Sequence, residues 1–483
     1  MRILGTGIDY STGGPLVEPL DEQAFGEAVQ QALVRNAEEL RRTTRASTAA
    51  TTYRGEVERE RTVDLGDPKA AGWTFLVNAK DPQRTALVEA LRPLAVHRGM
   101  NDPASPLLFN GEPEEEWNEW LQEQYFAPEL EGRTSPHYVL IAGGPGQVPF
   151  HFQALLDSAA SVGRVDFDAA ADLTAYVEKL IRLETDASPV ATRDALFFAP
   201  DGGPEDATYF SRRYMAEPLA KHVETSCRIP TAALLGDDAV KERFLASALK
   251  ERPALVYVAS HGLGAPNESP DVQRDFNGAI CCQHGTKEAI ENWLVSADDV
   301  AADEPFFEGS IVFQFACFGY GTPAESDVLH WLGEGKVTVH AAADFVAALP
   351  KALLAHPRGP IGFIGHVDTA WLHGFNDPDS PHLLERWHPR IAPFKKAVDL
   401  LLRSQPAALA MADMNKRFDL GNAVLTTTFD RIKRGKLTPG PEMNARLANA
   451  FIQRSDAQNY MVFGDPAARL RIPDAASGRG RLT

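Results

Sequence analysis

Cysteine is scarce in this chain: four residues in 483, scattered too thinly for a disulfide framework. A chain of this kind is expected in a reducing cytoplasm. Positive charge is also in deficit, with 48 Lys and Arg against 66 Asp and Glu and a formal net charge of −18. That balance argues against nucleic acid or an anionic membrane as the main partner and favours cationic ones. No apolar run reaches the length of a membrane-spanning helix, and Met1 to Tyr10 lacks the apolar stretch of a secretory signal. There is no internal repeat, no EF-hand spacing, and no GxxxxGK[ST] or GxGxxG phosphate cradle. Gly143-Gly-Pro-Gly146 therefore reads as a tight turn after a strand. With 44% apolar and 24% charged residues, the composition is that of a globular protein with room for a large core.

What is present is a series of short apolar runs, rich in β-branched and aromatic residues, separated by helical periodicity. Residues 1 to about 70 are the exception. They read as a peripheral arm: a charged helix from Glu22 to Arg45, a flexible Thr/Ala-rich join from Thr43 to Thr52, and a charged run from Arg54 to Arg61. Strands are expected at Trp73–Val77, His137–Ala142, Ala195–Ala199 and Thr231–Leu235. Helices are expected at Pro82–Leu94, Asp168–Glu184, Tyr209–Thr225 and Asp238–Leu249, with a surface helix at Glu114–Tyr125. From Ala195 onward strands and helices alternate, the pattern of βαβ units on a parallel sheet.

The two strongest runs are Ala254-Leu-Val-Tyr-Val-Ala-Ser260 and Ser310-Ile-Val-Phe-Gln-Phe-Ala316. Both have the continuous apolar character of strands buried on two faces. The first opens into His261-Gly262 and the second into Cys317. Reactive groups in open α/β sheets sit just beyond the carboxyl ends of strands, so a thiol and a base are placed to meet. A thiol attacks carbonyl carbon as thiolate and needs an imidazole to take its proton. Asp201, just past the Ala195–Ala199 strand, is the expected carboxylate to orient that ring. Gly262 has no side chain to obstruct a carbonyl, and its N–H with that of Cys317 is the expected oxyanion hole. Taken singly, Cys317 would read as buried packing and His261 as a loop histidine; their joint placement at strand ends points to a cysteine peptidase. Cys281-Cys282 with His284 offers too few ligands for a structural metal and reads as part of a long loop, Leu263–Glu288; Cys227 reads as core.

At these residues the chain resembles the gingipain family of cysteine peptidases, within the caspase-like superfold. The resemblance runs in order from about Tyr138 to Ile472. It is carried by Val162-Gly-Arg-Val165, the helix closing on Glu184, Ala199-Pro-Asp-Gly-Gly-Pro204, Ser260-His-Gly262, Phe315-Ala-Cys317, Ile364–Trp371 and Val462-Phe-Gly-Asp-Pro466. It implies an αβα sandwich with a mainly parallel sheet and a smaller N-terminal α/β subdomain. The expected divisions are an arm at 1–70, the subdomain at 71–186, a catalytic domain at 187–475 and a tail at 476–483. It also implies cleavage after Arg or Lys, with Asp206 on the floor of the specificity pocket and Trp371 lining it. The chemistry requires no cofactor, although the resemblance admits a structural calcium ion. Expected partners are a protein substrate and an activating protein or protease. The arginine-rich arm and the 263–288 loop, with Arg274 and Lys287, are candidate trimming sites of a zymogen, and a role in antiviral defence is an expectation by analogy. Two alternatives stay open: the same dyad with a non-basic pocket, and a catalytically silent caspase-like scaffold.

Overall fold

The structure, a computed structural model, describes residues 2–35, 37–60, 63–127, 135–186, 194–250, 252–283, 289–300, 303–328, 339–375 and 390–472. His284, Lys287, Arg61 and the expected tail lie outside them.

Continuous apolar runs cannot satisfy both of their faces in a two-layer fold, so they assemble into one sheet with helices on either side. The sheet has ten strands, ordered Leu107–Phe109, Trp73–Asn78, Tyr138–Ala142, Ser161–Val165, Tyr460–Phe463, Gly362–His366, Ile311–Phe315, Leu255–Ala259, Ala195–Ala199 and Thr231–Leu235. Neighbours run parallel everywhere except between Gly362–His366 and Tyr460–Phe463, which pair antiparallel. Two parallel halves thus point opposite ways across that one junction. The expected fold class, α/β with a mainly parallel sheet flanked by helices, is the one the structure has. One consequence is that the Gly143–Gly146 turn and the Cys317 and His261 loops leave opposite edges of the sheet.

Burial is complete along these strands: every residue of Tyr138–Ala142, Ala195–Ala199, Leu255–Ala259 and Ile311–Phe315 is buried. The junction with the first half is held by ion pairs as well as by packing. Asp465, directly beyond the Tyr460–Phe463 strand, accepts hydrogen bonds from Trp73 Nε1 at 2.9 Å and Arg98 Nε at 2.8 Å. Arg98 also bonds both carboxylate oxygens of Glu184 at 2.7 Å. Burial acts against that guanidinium's charge, but Asp465 and Glu184 more than offset it and raise its pKa. Glu184, buried but bonded to His97 and Arg98, is held down to about 2. Arg164 is likewise fully buried and spends its donors on Gln153 Oε1 and the carbonyls of Gly143 and Val148. The Gly-Arg, Glu184 and Gly-Asp-Pro motifs are therefore joints of the scaffold.

Several local expectations change. Trp117–Phe126 is helical, but Trp117, Trp120, Leu121, Tyr125 and Phe126 are buried in a second apolar cluster against Phe152. A surface helix would not carry that many aromatics inward. The Thr/Ala-rich stretch is no join, because Ala37–Glu60 is one helix, packed against Phe150–Ala159 and Ala412–Lys433. Leu263–Glu288 is not a single loop either: it contains Gly262–Gly264, the helix Pro270–Phe276 and Ile280–Cys281. Among the described residues no helix is long and apolar enough to cross a membrane.

The N-terminal residues are built into the molecule rather than peripheral. Gly7–Asp9 pairs parallel with Gly262–Gly264, as the outer strand of a small four-stranded sheet completed by Ile280–Cys281 and Leu294–Val295. Ile3, Thr6 and Gly7 are buried. The helix Glu22–Arg35 packs on Pro441–Gln458.

Candidate active site

Register brings the thiol and the imidazole level. In the parallel pair, Ala259 lies opposite Phe315, so His261 and Cys317 each stand two residues beyond matched positions. The following backbones touch: a Cβ on Gly262 would sit 1.8 Å from the Cys317 carbonyl oxygen, which only glycine permits. The Gly262 N–H donates to the Thr6 carbonyl at 3.0 Å, and the Cys317 N–H donates to the same oxygen at 3.3 Å. The two N–H groups expected as an oxyanion hole thus converge on one carbonyl oxygen, supplied by the chain itself.

The carboxylate that meets His261 is Asp206, not Asp201. Both Asp206 oxygens lie 2.9 Å from His261 Nε2. Asp206 is the N-cap of the short helix Ala207–Ser211, where it also accepts from the Thr208 backbone N–H at 2.7 Å and from the Thr208 hydroxyl. Burial works against its charge, but the imidazole and the Thr208 donors hold its pKa well below the usual carboxylate range. Asp201 instead pairs with Arg212 at 2.8 Å, and its oxygen accepts from the Gly203 N–H at 2.8 Å. It shapes the turn that delivers Asp206. With Nε2 facing an ionised carboxylate, that nitrogen carries the ring proton, while buried Nδ1 has no hydrogen-bond partner among the described residues and is left to accept.

Cys317 is fully buried. Its Sγ accepts from the Ala370 N–H at 3.3 Å and lies 3.5 Å from Thr6 Oγ1. Burial pushes the thiol up to about 12, with the Thr6 and Ala370 contacts working against that rise. Positive φ at Phe318 (56°) and Asp368 (65°) marks strained backbone on the two loops that meet here. Asp368 pins its loop by accepting from Ser326 Oγ, the Asp327 and Thr369 N–H groups, and bonding His340 Nε2. That fixes Ala370 against the sulfur.

The expected specificity pocket is not formed by the expected residues. Asp206 is committed to His261. Trp371 is fully buried in a cluster with Ile3, Phe25 and Val29, its Nε1 without a hydrogen-bond partner among the described residues. Sequence reasoning also missed Thr6 and Ala370. The Asp206-Ala-Thr208 helix cap was the one local signal that would have separated Asp206 from Asp201.

The remaining cysteines are placed differently from expectation. Cys281 and Cys282 are buried, and the Cys281 N–H donates to the His261 carbonyl at 3.1 Å. Cys227 is half-buried beside Asp399 rather than core, and its Sγ donates to Asp399 Oδ1 at 3.0 Å. With His222 these two form the group of described residues whose ligand atoms lie within 4.8 Å of one another.

Fold and site together place a thiol and a carboxylate-bound imidazole just beyond the carboxyl ends of two neighbouring parallel strands. No protein-family model matches the chain, and no curated protein matches it. Among solved structures, it is similar to the Arg-specific cysteine proteinase gingipain R, at 13% identity and a TM-score of 0.42, covering 83% of this chain and 78% of that one. A complex of pro- and mature domains of RgpB from Porphyromonas gingivalis is similar at 13% identity and a TM-score of 0.40, covering 83% and 80%. The Saccharomyces cerevisiae separase–securin complex is similar at 9% identity and a TM-score of 0.33, covering 77% of this chain and 18% of that one.

Proposed function

We propose that the protein is a caspase-like cysteine endopeptidase with Cys317 as nucleophile, His261 as base and acid, and Asp206 as orienting carboxylate. The observation that carries this reading is the convergence of the Gly262 and Cys317 N–H groups on a single carbonyl oxygen beside the Cys317 thiol. In the reaction, His261 Nδ1 takes the thiol proton and Sγ bonds to the scissile carbonyl carbon. The oxygen gains its negative charge between the two N–H groups, an interaction of about 3 kcal/mol per donor in comparable sites. Collapse breaks the C–N bond, and the imidazolium returns its proton to the departing amine. Water, deprotonated by His261, then cleaves the thioester and restores the thiol. Asp206 keeps Nε2 protonated throughout and stabilises the imidazolium.

For specificity, one observation favours a non-basic pocket over the Arg/Lys preference implied by the resemblance. The acid expected on the pocket floor is bonded to His261 by both oxygens, so it is not free to pair with a guanidinium. The deciding experiment is a fluorogenic peptide panel with Arg, Lys, Asp, Ala and Thr at the cleaved position. It is run on the full chain, on Cys317→Ala, and on full-length variants whose Leu4–Asp9 segment has been displaced. Turnover by a displaced variant that vanishes when Cys317→Ala is added to it supports the peptidase. A displaced variant with a readily alkylated Cys317 and no turnover of any peptide supports the silent scaffold.

A further inference from the structure

Cys317 has no solvent-exposed surface among the described residues. Thr6 and Cys317 are fully buried, and what covers them is the chain's own segment Leu4–Asp9. That segment lies extended. Before Thr6 it runs antiparallel to Ala370–Leu372: Gly5 bridges Trp371, the Thr6 N–H donates to the Ala370 carbonyl at 2.8 Å, and the Leu372 N–H donates to the Leu4 carbonyl at 3.1 Å. At Thr6 the carbonyl oxygen sits between the Gly262 and Cys317 N–H groups. After Thr6, Gly7–Asp9 pairs with Gly262–Gly264 on the other side of the sulfur.

We propose that Leu4–Asp9 is an intramolecular pseudosubstrate, bound along the path of a cleaved peptide with the Thr6–Gly7 bond at the position of the scissile bond, and that it holds the enzyme latent. The inference rests on the peptidase reading of the site. It replaces the expected control by trimming of the arginine-rich arm, whose Arg41 and Arg54 are bound to Asp430 and to the Asp157 and Ala160 carbonyls. Three features make the segment an inhibitor rather than a consumed substrate. A turn anchors its far side: Asp9 Oδ1 accepts from the Thr12 N–H at 2.9 Å and from Thr12 Oγ1 at 3.0 Å, and the Leu16 N–H donates to the Gly7 carbonyl at 2.9 Å. A Gly7 amine released by cleavage would stay pinned in the sheet beside the thioester, where resynthesis of the bond competes with water. The buried thiol also lacks the thiolate character needed for attack. Being tethered, the segment competes with any incoming peptide at an effective concentration on the order of millimolar.

The segment also describes its replacement. A substrate would enter as an extended strand, adding to Ala370–Leu372 through main-chain hydrogen bonds. It would carry a thin residue before the cleaved position, because a Cβ on Gly5 would meet Thr369 Cγ2 at 2.8 Å. At the cleaved position it would carry a small uncharged residue such as Thr6.

Two full-length variants test this. Gly7→Leu expels the segment sterically, since a Cβ there would meet Leu16 Cβ at 2.9 Å and Cys317 Sγ at 3.2 Å. Asp9→Ala loosens the turn without a clash. Two rates are read: iodoacetamide alkylation of Cys317 at pH 8 by peptide mapping, and turnover of a peptide with Gly-Thr before the cleaved bond. Wild type is expected to be slow in both. Gly7→Leu should gain at least tenfold, and Asp9→Ala should gain less. A synthetic peptide of residues 2–16 should slow Gly7→Leu again, while a scrambled peptide should not. Wild-type turnover that neither variant changes overturns the pseudosubstrate and leaves the peptidase standing. Faster alkylation with no turnover supports the cover and overturns the peptidase. Should Gly7→Leu not fold, Asp9→Ala and the alkylation rate of wild-type Cys317 decide alone, and fast labelling of the wild type overturns the proposal.

Discussion

The assignment of the orienting carboxylate can be settled by comparing Asp206→Asn with Asp201→Asn. Asparagine at 206 keeps the volume and retains one oxygen for the Thr208 N–H, which lies 2.7 Å from Asp206 Oδ1. The amide NH2 then faces His261 Nε2, which lies 2.9 Å from both carboxylate oxygens in the native site. A donor opposite Nε2 forces that nitrogen to accept, so the ring proton moves to Nδ1 and the base is lost. In a serine-protease triad the same change lowers kcat by about 10^4-fold. Asp206 is partly exposed, with 29% of its side chain open to solvent, so a loss of about 10^2 to 10^4 is expected here. That range corresponds to about 3–5 kcal/mol of barrier. Asp201→Asn removes an ion pair to Arg212 at 2.8 Å and leaves the imidazole untouched. Its cost should be within about tenfold, on the scale of a partly buried ion pair away from the reacting atoms. The assay is kcat on the Gly-Thr peptide in the Gly7→Leu background, with circular dichroism to check folding. Equal losses in the two variants, or a larger loss at Asp201, would refute the assignment.

Other outcomes follow from the scaffold. Asp465→Ala strands the buried Arg98 guanidinium beside a single carboxylate and should cost about 3–5 kcal/mol, read as the shift in urea midpoint. Glu184, held down to about 2 from an ordinary value of 4.5, contributes stability that is fully present above pH 4.5 and lost as pH falls toward 2. Glu184→Gln should therefore lower Tm at neutral pH but flatten its decline between pH 4.5 and 2; an unchanged slope would count against the pairing. Gly262→Ala in the Gly7→Leu background, with its Cβ 1.8 Å from the Cys317 carbonyl oxygen, should fold poorly or lose turnover entirely, and soluble protein as active as Gly7→Leu would contradict the backbone contact.

Much of this was legible in the sequence because strands buried on both faces write themselves as unbroken apolar runs. Leu255–Ala259 and Ile311–Phe315 fall inside the runs read from composition, and with them came His261, Gly262 and Cys317. Asp201 was misassigned because proximity to a strand end is a one-dimensional cue, whereas the turn through Gly202 and Gly203 carries the next carboxylate to the ring. Trp371 was placed in an open pocket because an aromatic after a strand looks the same in sequence whether or not something covers it. The cover itself left no trace: residues 4–9 are too short for a period, and their partners lie hundreds of residues away. The reversal of strand direction at Tyr460–Phe463 was equally hidden, since apolar runs carry no orientation.

That reversal has a bearing on biosynthesis. Tyr460–Phe463 lies between Ser161–Val165 and Gly362–His366, yet it emerges from the ribosome after every other strand of the sheet. Until then each half presents an unpaired five-residue edge strand, Ser161–Val165 on one and Gly362–His366 on the other, with main-chain groups open to a neighbouring chain. Nascent chains stalled before residue 460 should therefore depend on holdase chaperones and release that dependence within the few residues that deliver the last strand.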